Sequence, residues 1–359
     1  MRPLPLLLLA CACCVPIVYA GPSGERFLLY LQEESKVREP SPVCKGLSHQ
    51  EASLTCGLAE AAQLNRTFVV PSSLCLDQHH NKGHQWQANS WNSTRIKAVT
   101  LETYFDLGHL KAAGHAIIDG ATFFRMVDAS SFSALRKTVD VRSHMSVREV
   151  PSNTPFSEMR AYSASILIRR FRRRVSPHYW FDVCNKDKSF TLQEEHKRVR
   201  RDLWPSQRIR QAVFAVQQAL QQQALNGSGE YISVHVRRSD KIGSCRHHIK
   251  EDTSARNILD KLLSFQADQK LQTNIPVYIA SDERSAGYFD ELLLSDQLNA
   301  FTAANFSGVL DFTTGNNYLL FKVEMALHSL ASQKVETFKD DGDLYLTEDP
   351  KHCGYHVNP

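Results

Sequence analysis

The second half of the chain alternates helix-like and strand-like segments, and this alternation restricts the fold more than any other feature. Residues 206–225 have the spacing of an amphipathic helix, and residues 231–236 alternate apolar and polar side chains as a strand does. We expect further helices from about residue 254, at 286–293 and at 318–330, and further strands at 276–282, 309–312 and 334–338. This order predicts a doubly wound, mostly parallel sheet.

Charged side chains follow the first strand of this half. The segment 231–241 reads Tyr-Ile-Ser-Val-His-Val-Arg-Arg-Ser-Asp-Lys, so the strand runs into Arg237, Arg238, Asp240 and Lys241. Ligands of open α/β sheets bind at the carboxyl ends of the strands. Two arginines there favour an anionic ligand, because a guanidinium grips phosphate oxygens in a bidentate way. A surface patch of Arg-Asp ion pairs would give the same pattern.

The next two strands also end in polar side chains. Asp282 closes the strand at 276–282, and Thr337 lies near the end of the strand at 334–338. Because parallel strands end at the same edge of a sheet, we expect Arg237, Asp282 and Thr337 to lie near one another. A cation for phosphate, a carboxylate for a sugar hydroxyl or base N–H, and a hydroxyl would suit a nucleotide sugar. The absence of a Gly-x-Gly-x-x-Gly or Walker-type sequence argues against a dinucleotide oxidoreductase or an ATPase.

Residues 231–243 resemble the His-Val-Arg-Arg-Thr-Asp-Lys-Val-Gly segment of the α1,6-fucosyltransferases. They also resemble the His-x-Arg element of GDP-fucose-dependent fucosyltransferases in general, including the protein O-fucosyltransferases and their plant relatives. Further segments resemble elements of these enzymes in the same order along the chain: residues 46–50, 64–71, 101–110, 277–283 and 334–338. The resemblance therefore spans most of the chain.

The resemblance implies an α/β fold of the GT-B-like kind, with two facing Rossmann-like domains, mostly parallel sheets and the donor held by the C-terminal domain. It also implies an inverting transfer of fucose from GDP-fucose to a protein or glycan acceptor. Arg237 matches the arginine that grips the β-phosphate and assists the departure of GDP, whose developing charge a fixed guanidinium stabilises. We expect no metal and no other cofactor, since arginine would replace the metal and no Cys/His cluster has zinc spacing.

The resemblance assigns further residues to the two sides of the site. On the donor side, the pocket would be shaped by His235, Arg238, Asp240 and Lys241, with Asp282 on ribose or guanine and with Thr337 and Phe338 on the phosphate and nucleotide. On the acceptor side, His49 and Gln50 stand where the family has Asn-Gln. His49 could serve as a base there, or it could cap a helix.

The chain departs from the α1,6 enzymes at the expected catalytic base. Cys245 stands where those enzymes have a glutamate, and Glu251 and Asp252 are the nearby carboxylates that could replace it. Two alternatives to an active enzyme follow. A catalytically silent nucleotide-sugar or glycan-binding protein would bind GDP without turnover, whereas a secreted partner-binding protein that keeps only the fold would not bind GDP.

The N-terminal residues and the cysteines indicate the secretory pathway. Residues 1–20 have Arg2, an apolar stretch and a small-residue end at Ala20, typical of a signal peptide, with a type II membrane anchor as the alternative. Nine cysteines, less the three in that segment, leave six for disulfides, whose pairing the sequence does not fix. Glycosylation sequons stand at Asn65, Asn92, Asn226 and Asn305, with Asn65 expected to be covered by its flanking helix and strand. We expect a glycoprotein of the ER, Golgi or extracellular space without a nucleic-acid partner.

The length of 359 residues is sufficient for two domains, predicted at 21–200 for the acceptor side and at 201–359 for the GDP-sugar side. The net charge of +4 is small, but the runs 168–174 and 196–201 are strongly basic. These runs could bind an anionic glycan or membrane surface, or mark a proprotein cleavage after Arg201. We favour a third interpretation, solvated helix faces near the domain boundary.

Overall fold

The computed structural model describes residues 25–32, 46–72, 74, 76, 99–127, 146–171, 181–186, 190–224, 229–238, 241–242, 248–283 and 285–351. These residues form two five-stranded sheets, one from each half of the chain, and every strand pair within them is parallel. Helices pack against both sheets, which confirms the predicted α/β fold with two Rossmann-like halves. No helix in the described part of the chain is long and apolar enough to cross a membrane.

The N-terminal sheet has the strand order β3-β2-β1-β5-β4. Its strands are β1 (Phe27–Gln32), β2 (Thr67–Val70), β3 (Ile117–Asp119), β4 (Val147–Pro151) and β5 (Ile166–Phe171). The described helices of this half are α1 (Leu47–Gln63), α2 (Leu107–Ala112), α3 (Gly120–Met126), α4 (Phe156–Met159), α5 (Asp182–Lys186) and α6 (Phe190–Asp202). Helix α1 packs closely on β2 at Gly57. A Cβ atom added at Gly57 would come within 2.4 Å of the Phe68 ring of β2.

The first four residues of the basic run 168–174 are not a solvated helix face, because they belong to the inner strand β5; residues 172–174 lie outside the described residues. Arg169 is 1% exposed, and its Nε atom donates to the Glu60 carboxylate at 3.0 Å. Tyr30 donates to the same carboxylate at 2.7 Å. A buried charge costs free energy unless it is paired, so Glu60 compensates Arg169 inside the sheet.

A disulfide joins Cys56 of α1 to Cys184 of α5. The two residues are 128 positions apart in the chain, so the bond fixes the end of the N-terminal half onto its first helix. The other cysteines that follow residue 20 lie outside the described residues.

The C-terminal sheet has the strand order β10-β9-β6-β7-β8. Its strands are β6 (Ile232–Val236), β7 (Val277–Ser281), β8 (Ala300–Thr302), β9 (Gln333–Phe338) and β10 (Tyr345–Thr347). Its described helices are α7 (Gln207–Gln222), α8 (Ile249–Asp252), α9 (Ala255–Ala267), α10 (Asp290–Leu293), α11 (Ser307–Leu310) and α12 (Asn317–Leu330). Three of the four predicted strands are present at the expected places.

The predicted strand at 309–312 is wrong. Those residues form the end of α11 and a 3-10 turn at Asp311–Thr313, while the edge strand is β8. A short apolar run has the same composition in a buried helical turn and in a strand, so periodicity alone does not separate the two. The helix predicted at 286–293 is also shorter than expected, since only Asp290–Leu293 is α-helical.

The two halves contact each other through α1 and Tyr104 on one side and α12 on the other. Lys322 of α12 pairs with Glu51 of α1 at 2.8 Å, and Asn316 donates to the hydroxyl of Tyr104 at 2.8 Å. The basic run 196–201 lies on α6, which packs against α1. The boundary predicted at 200/201 falls inside this helix, which ends at Asp202.

Candidate functional site

The three predicted strand ends meet at one edge of the C-terminal sheet, because β9, β6 and β7 are neighbours there. The backbone N–H of Arg237 donates to Oγ1 of Thr337 at 2.9 Å. The backbone N–H of Arg238 donates to Oδ1 of Asp282 at 2.6 Å. Side chains from both neighbouring strands therefore fix the backbone where β6 ends.

Arg238 is held inside the domain. Its side chain is 6% exposed and lies 2.9 Å from the Glu283 carboxylate. The guanidinium also donates to the carbonyl and hydroxyl of Thr253 at 2.8 and 2.7 Å, and it covers the Tyr288 ring at 4.4 Å. These contacts hold the Arg238 side chain behind the strand end, and its part in shaping the pocket, which the resemblance implies, stays a prediction.

Arg237 is less buried than Arg238 and keeps part of its surface exposed. Successive strand residues point to opposite faces, so Arg237 extends the face that carries Ser233 and His235. Helix α12 packs on β6 from that side, as the contact of His328 with Ser233 shows. Of the two adjacent arginines, Arg237 is therefore the one at the edge where a ligand would bind.

A chain of polar side chains runs along this same face. Nδ1 of His328 lies 3.0 Å from the hydroxyl of Ser233, and Nε2 of His328 lies 2.8 Å from Oε1 of Glu336. The other carboxylate oxygen of Glu336 lies 3.4 Å from Nδ1 of His235. Burial acts to raise the pKa of Glu336, but the interactions with His235 and His328 outweigh burial and lower that pKa to about 2. Glu336 is thus a carboxylate between two imidazoles.

The other residues predicted for the donor side, and the carboxylates considered as a base, differ in burial and in their contacts. Thr337 and Phe338 are each 1% exposed, and the Thr337 hydroxyl also donates to the carbonyl of His235. Nζ of Lys241 donates to the carbonyl of Lys351 at 2.9 Å. Asp240 lies outside the described residues, as does Cys245. Among the carboxylates considered as a base, Asp252 accepts from the Thr347 hydroxyl at 2.6 Å, and Glu251 is exposed.

The acceptor-side residues lie at the start of α1. His49 is exposed and stacks on the Phe181 ring, with 5.9 Å between ring centroids. Gln50 is buried and lines a cavity of about 280 Å³ between α1, α3 and the ends of β1 and β2. The pair between Glu51 and Lys322 holds this start of α1 against α12, which carries His328.

Two of the sequons fall in the described residues. Asn65 is exposed and has a φ of 50° in the turn after α1, so the expected cover by its flanking helix and strand is absent. Asn305 is also exposed, and its Oδ1 atom accepts from the backbone N–H of Thr302 at 2.8 Å. Asn92 and Asn226 lie outside the described residues.

The sequence reasoning missed Glu336 and His328. Glu336 belongs to the strand predicted at 334–338. It stands two residues before Phe338, which places both on the same face of the strand but gives no partner for Glu336. His328 lies on a helix that looks like ordinary core packing. The available signal was the chemical match between a histidine on β6 and a carboxylate on the last predicted strand. Groups of three or more His, Cys, Asp or Glu side chains that could hold a metal ion were not found among the described residues.

Arg237, Asp282 and Thr337 thus meet at the carboxyl edge of a doubly wound sheet, which is where ligands of such sheets bind. The family model for GDP-fucose protein O-fucosyltransferases matches residues 42–303. The chain belongs to this family, which confirms the resemblance found in the sequence.

Solved structures of fucosyltransferases are similar to this chain over nearly their whole length. POFUT1 in complex with GDP-fucose is 13% identical, with 88% of this chain and 91% of that chain covered and a TM-score of 0.47. The fucosyltransferase NodZ from Bradyrhizobium is 12% identical, with 87% of this chain and 88% of that chain covered and a TM-score of 0.40. A comparison with curated protein sequences found no match.

Proposed function

We propose that this protein transfers fucose from GDP-fucose to a hydroxyl of a protein or glycan, with inversion at the sugar C1, without a metal ion, and in the secretory pathway. The observation that carries the proposal is the meeting of Arg237, Asp282 and Thr337 at the carboxyl edge of three adjacent strands, in a chain of this family. The experiments below distinguish this proposal from its two alternatives, silent binding of the donor and a fold without a donor site.

In the proposed reaction the acceptor oxygen forms a bond to C1 of fucose from the face opposite the diphosphate. The bond between C1 and the β-phosphate oxygen breaks, and GDP leaves with the electron pair. The proton of the acceptor hydroxyl passes to a base or to solvent. The chemical demand on the donor side is therefore to stabilise negative charge that grows on the leaving diphosphate.

Arg237 is the residue proposed to meet this demand. The hydrogen bond from its backbone N–H to Thr337 fixes the strand end, so the guanidinium starts from a defined position. A hydrogen bond to a charged group contributes about 1.5–3 kcal/mol, which corresponds to roughly 10- to 150-fold in binding or rate. Asp282 is proposed to accept from ribose or guanine beside it. Because arginine supplies the positive charge, we propose that the reaction requires no metal.

The first test is calorimetric titration of the purified protein with GDP and GDP-fucose. We compare the native sequence with Arg237→Ala and with the control Arg256→Ala, which removes an arginine on the surface of α9. We expect Arg256→Ala to bind as the native protein does and Arg237→Ala to lose at least tenfold in affinity, on the basis of one lost charge-assisted contact. A folded native protein that does not bind GDP would refute the donor site.

Turnover is tested next, by GDP release and by transfer of labelled fucose to secretory glycoproteins, with and without EDTA. We expect transfer that EDTA does not reduce. Binding of GDP-fucose without transfer to any acceptor would favour the silent alternative, which the substitution of the expected glutamate by Cys245 motivates. Recovery of the protein from the secretory pathway with residues 1–20 removed and with sugars on its sequons would support the proposed location.

A further inference from the structure

The polar chain beneath the donor edge has a geometry that the proposed function does not yet use. We propose that Glu336 and His328 are positioning residues, which hold the imidazole of His235 so that its Nε2 atom meets the diphosphate beside Arg237. The inference rests on the proposed function, because it assigns residues to the same donor site. It adds two residues to that site that the sequence reasoning did not select.

The first argument is the orientation of the ring. Nδ1 of His235 lies 3.4 Å from Glu336, and the two nitrogens of an imidazole point to different sides of the ring. In the proposed arrangement the carboxylate accepts from Nδ1–H and thereby fixes the tautomer and rotation of the ring, as in carboxylate–histidine pairs at metal sites. Nε2 then remains for a ligand, and no partner for it is present among the residues that the structure describes.

The second argument is the place of the chain on the sheet. Ser233 and His235 lie on one face of β6, and Arg237 extends that face beyond the strand end. Val335 of β9 pairs with Val234 of β6, and the next residue, Glu336, lies beside His235 with 3.4 Å between Oε2 and Nδ1. His235 therefore lies two residues before Arg237, the arginine proposed to bind the diphosphate, and 24% of the His235 side chain is exposed.

The third argument is that packing alone does not require these residues. The side chains of Glu336 and His328 are 18% and 9% exposed, and together with His235 they place three groups that prefer water side by side between α12 and the sheet. Replacing a buried polar or ionic set by apolar side chains of similar size is often neutral or stabilising. His328 satisfies one carboxylate oxygen and is itself held by Ser233, so the second oxygen stays directed at His235.

The test is a double-mutant cycle on GDP affinity, measured by calorimetry with GDP and with GMP, which lacks the β-phosphate. The variants are Glu336→Gln, His235→Ala and the double variant, and the control is Lys334→Gln, which removes an exposed charge from the same strand. We expect Glu336→Gln to weaken GDP about tenfold and GMP much less, as the loss of one oriented contact to a charged group would do. The double variant should bind GDP no more weakly than His235→Ala, and Lys334→Gln should bind as the native protein does.

His328→Gln supplies a second variant, in which the side-chain amide still reaches Glu336 but the contact with Ser233 is lost. We expect a smaller loss of GDP affinity, about two- to fivefold, again absent in the His235→Ala background. Equal weakening of GDP and GMP, or additive losses in the double variant, would show a purely structural role and overturn the inference. If the native protein binds GDP and Glu336→Gln binds it with the same affinity, the inference is overturned and the proposed function stands. If the native protein does not bind GDP, both the inference and the proposed function are refuted.

Discussion

The adjacent arginines Arg237 and Arg238 should respond in opposite ways to the same substitution. Arg238→Ala removes the guanidinium that faces Glu283 and donates to Thr253, within a site where the arginine side chain is only 6% exposed. Removing one partner of a buried ion pair costs about 3–5 kcal/mol, because the other charge stays buried. Arg237→Ala removes a partly exposed side chain at the strand end, so we expect a change in stability within about 1 kcal/mol.

The assay is thermal unfolding with GDP calorimetry on the same samples. For a domain of 150–250 residues, about 2–4 °C corresponds to 1 kcal/mol, so Arg238→Ala should lower the apparent Tm by roughly 6–20 °C. Measured below its transition, this variant should keep GDP affinity within a few-fold, since the contact of Arg238 with Asp282 is made by the backbone. Arg237→Ala should show the reverse, a native Tm and a loss of GDP binding of at least tenfold.

Arg256→Ala is the matched control, because this arginine is 65% exposed and its ion pairs are on the surface. Exposed pairs contribute about 0–1 kcal/mol, so neither Tm nor GDP affinity should change noticeably. The reasoning fails if Arg238→Ala unfolds at the native temperature but no longer binds GDP. It also fails if Arg237→Ala is as unstable as we expect Arg238→Ala to be.

Two further predictions concern stability. The double variant Cys56→Ala/Cys184→Ala should unfold with a free energy of unfolding about 2–5 kcal/mol lower than that of the native protein, because the bond joins residues 128 positions apart. Reductant should destabilise the native protein more than the variant; urea unfolding with and without reductant measures this, and an equal response of both proteins would contradict it. The pKa of Glu336 is lowered from its ordinary 4.5 to about 2 in the folded state. The ionised carboxylate therefore contributes to the free energy of unfolding above about pH 4.5, and this contribution is lost as the pH falls toward 2. The difference in Tm between the native protein and Glu336→Gln should therefore narrow from pH 5 to pH 2.5, and a constant difference would refute this assignment.

The order of elements in the C-terminal half was predictable because each signal there is local. Strand β6 alternates apolar and polar residues, and β7 is an apolar run between Pro276 and Asp282, so neither needs tertiary information to be found. The rule that ligands bind at the carboxyl ends of strands then placed Arg237, Asp282 and Thr337 at one edge. The strand β8 was missed because three residues, Ala300–Thr302, carry too little pattern.

The failures share a physical cause, which is that burial of a polar residue is decided by partners distant in the chain. Arg169 lies in a run that looks solvated, yet it is buried because Glu60, 109 residues earlier, compensates its charge. Arg238 is buried in the same way through Thr253 and Glu283. A single sequence shows the charges but not the pairing, and only the pairing determines whether an arginine belongs to the core or to the site.

Once the packing of the two faces of β6 is known, the alternation of the strand also separates the two arginines. Val234 and Val236 are fully buried in the cluster that includes Ile258 and Leu262 of α9, and Arg238 continues that face. Ser233 and His235 lie on the face toward α12, and Arg237 continues that one. Two cations next to each other in sequence therefore leave the strand end in opposite directions, one into a packed helix layer and one along the polar face. The strand period and the packing of its two faces thus agree with the proposed binding role of Arg237 and with the buried position of Arg238, and the paired substitutions test both.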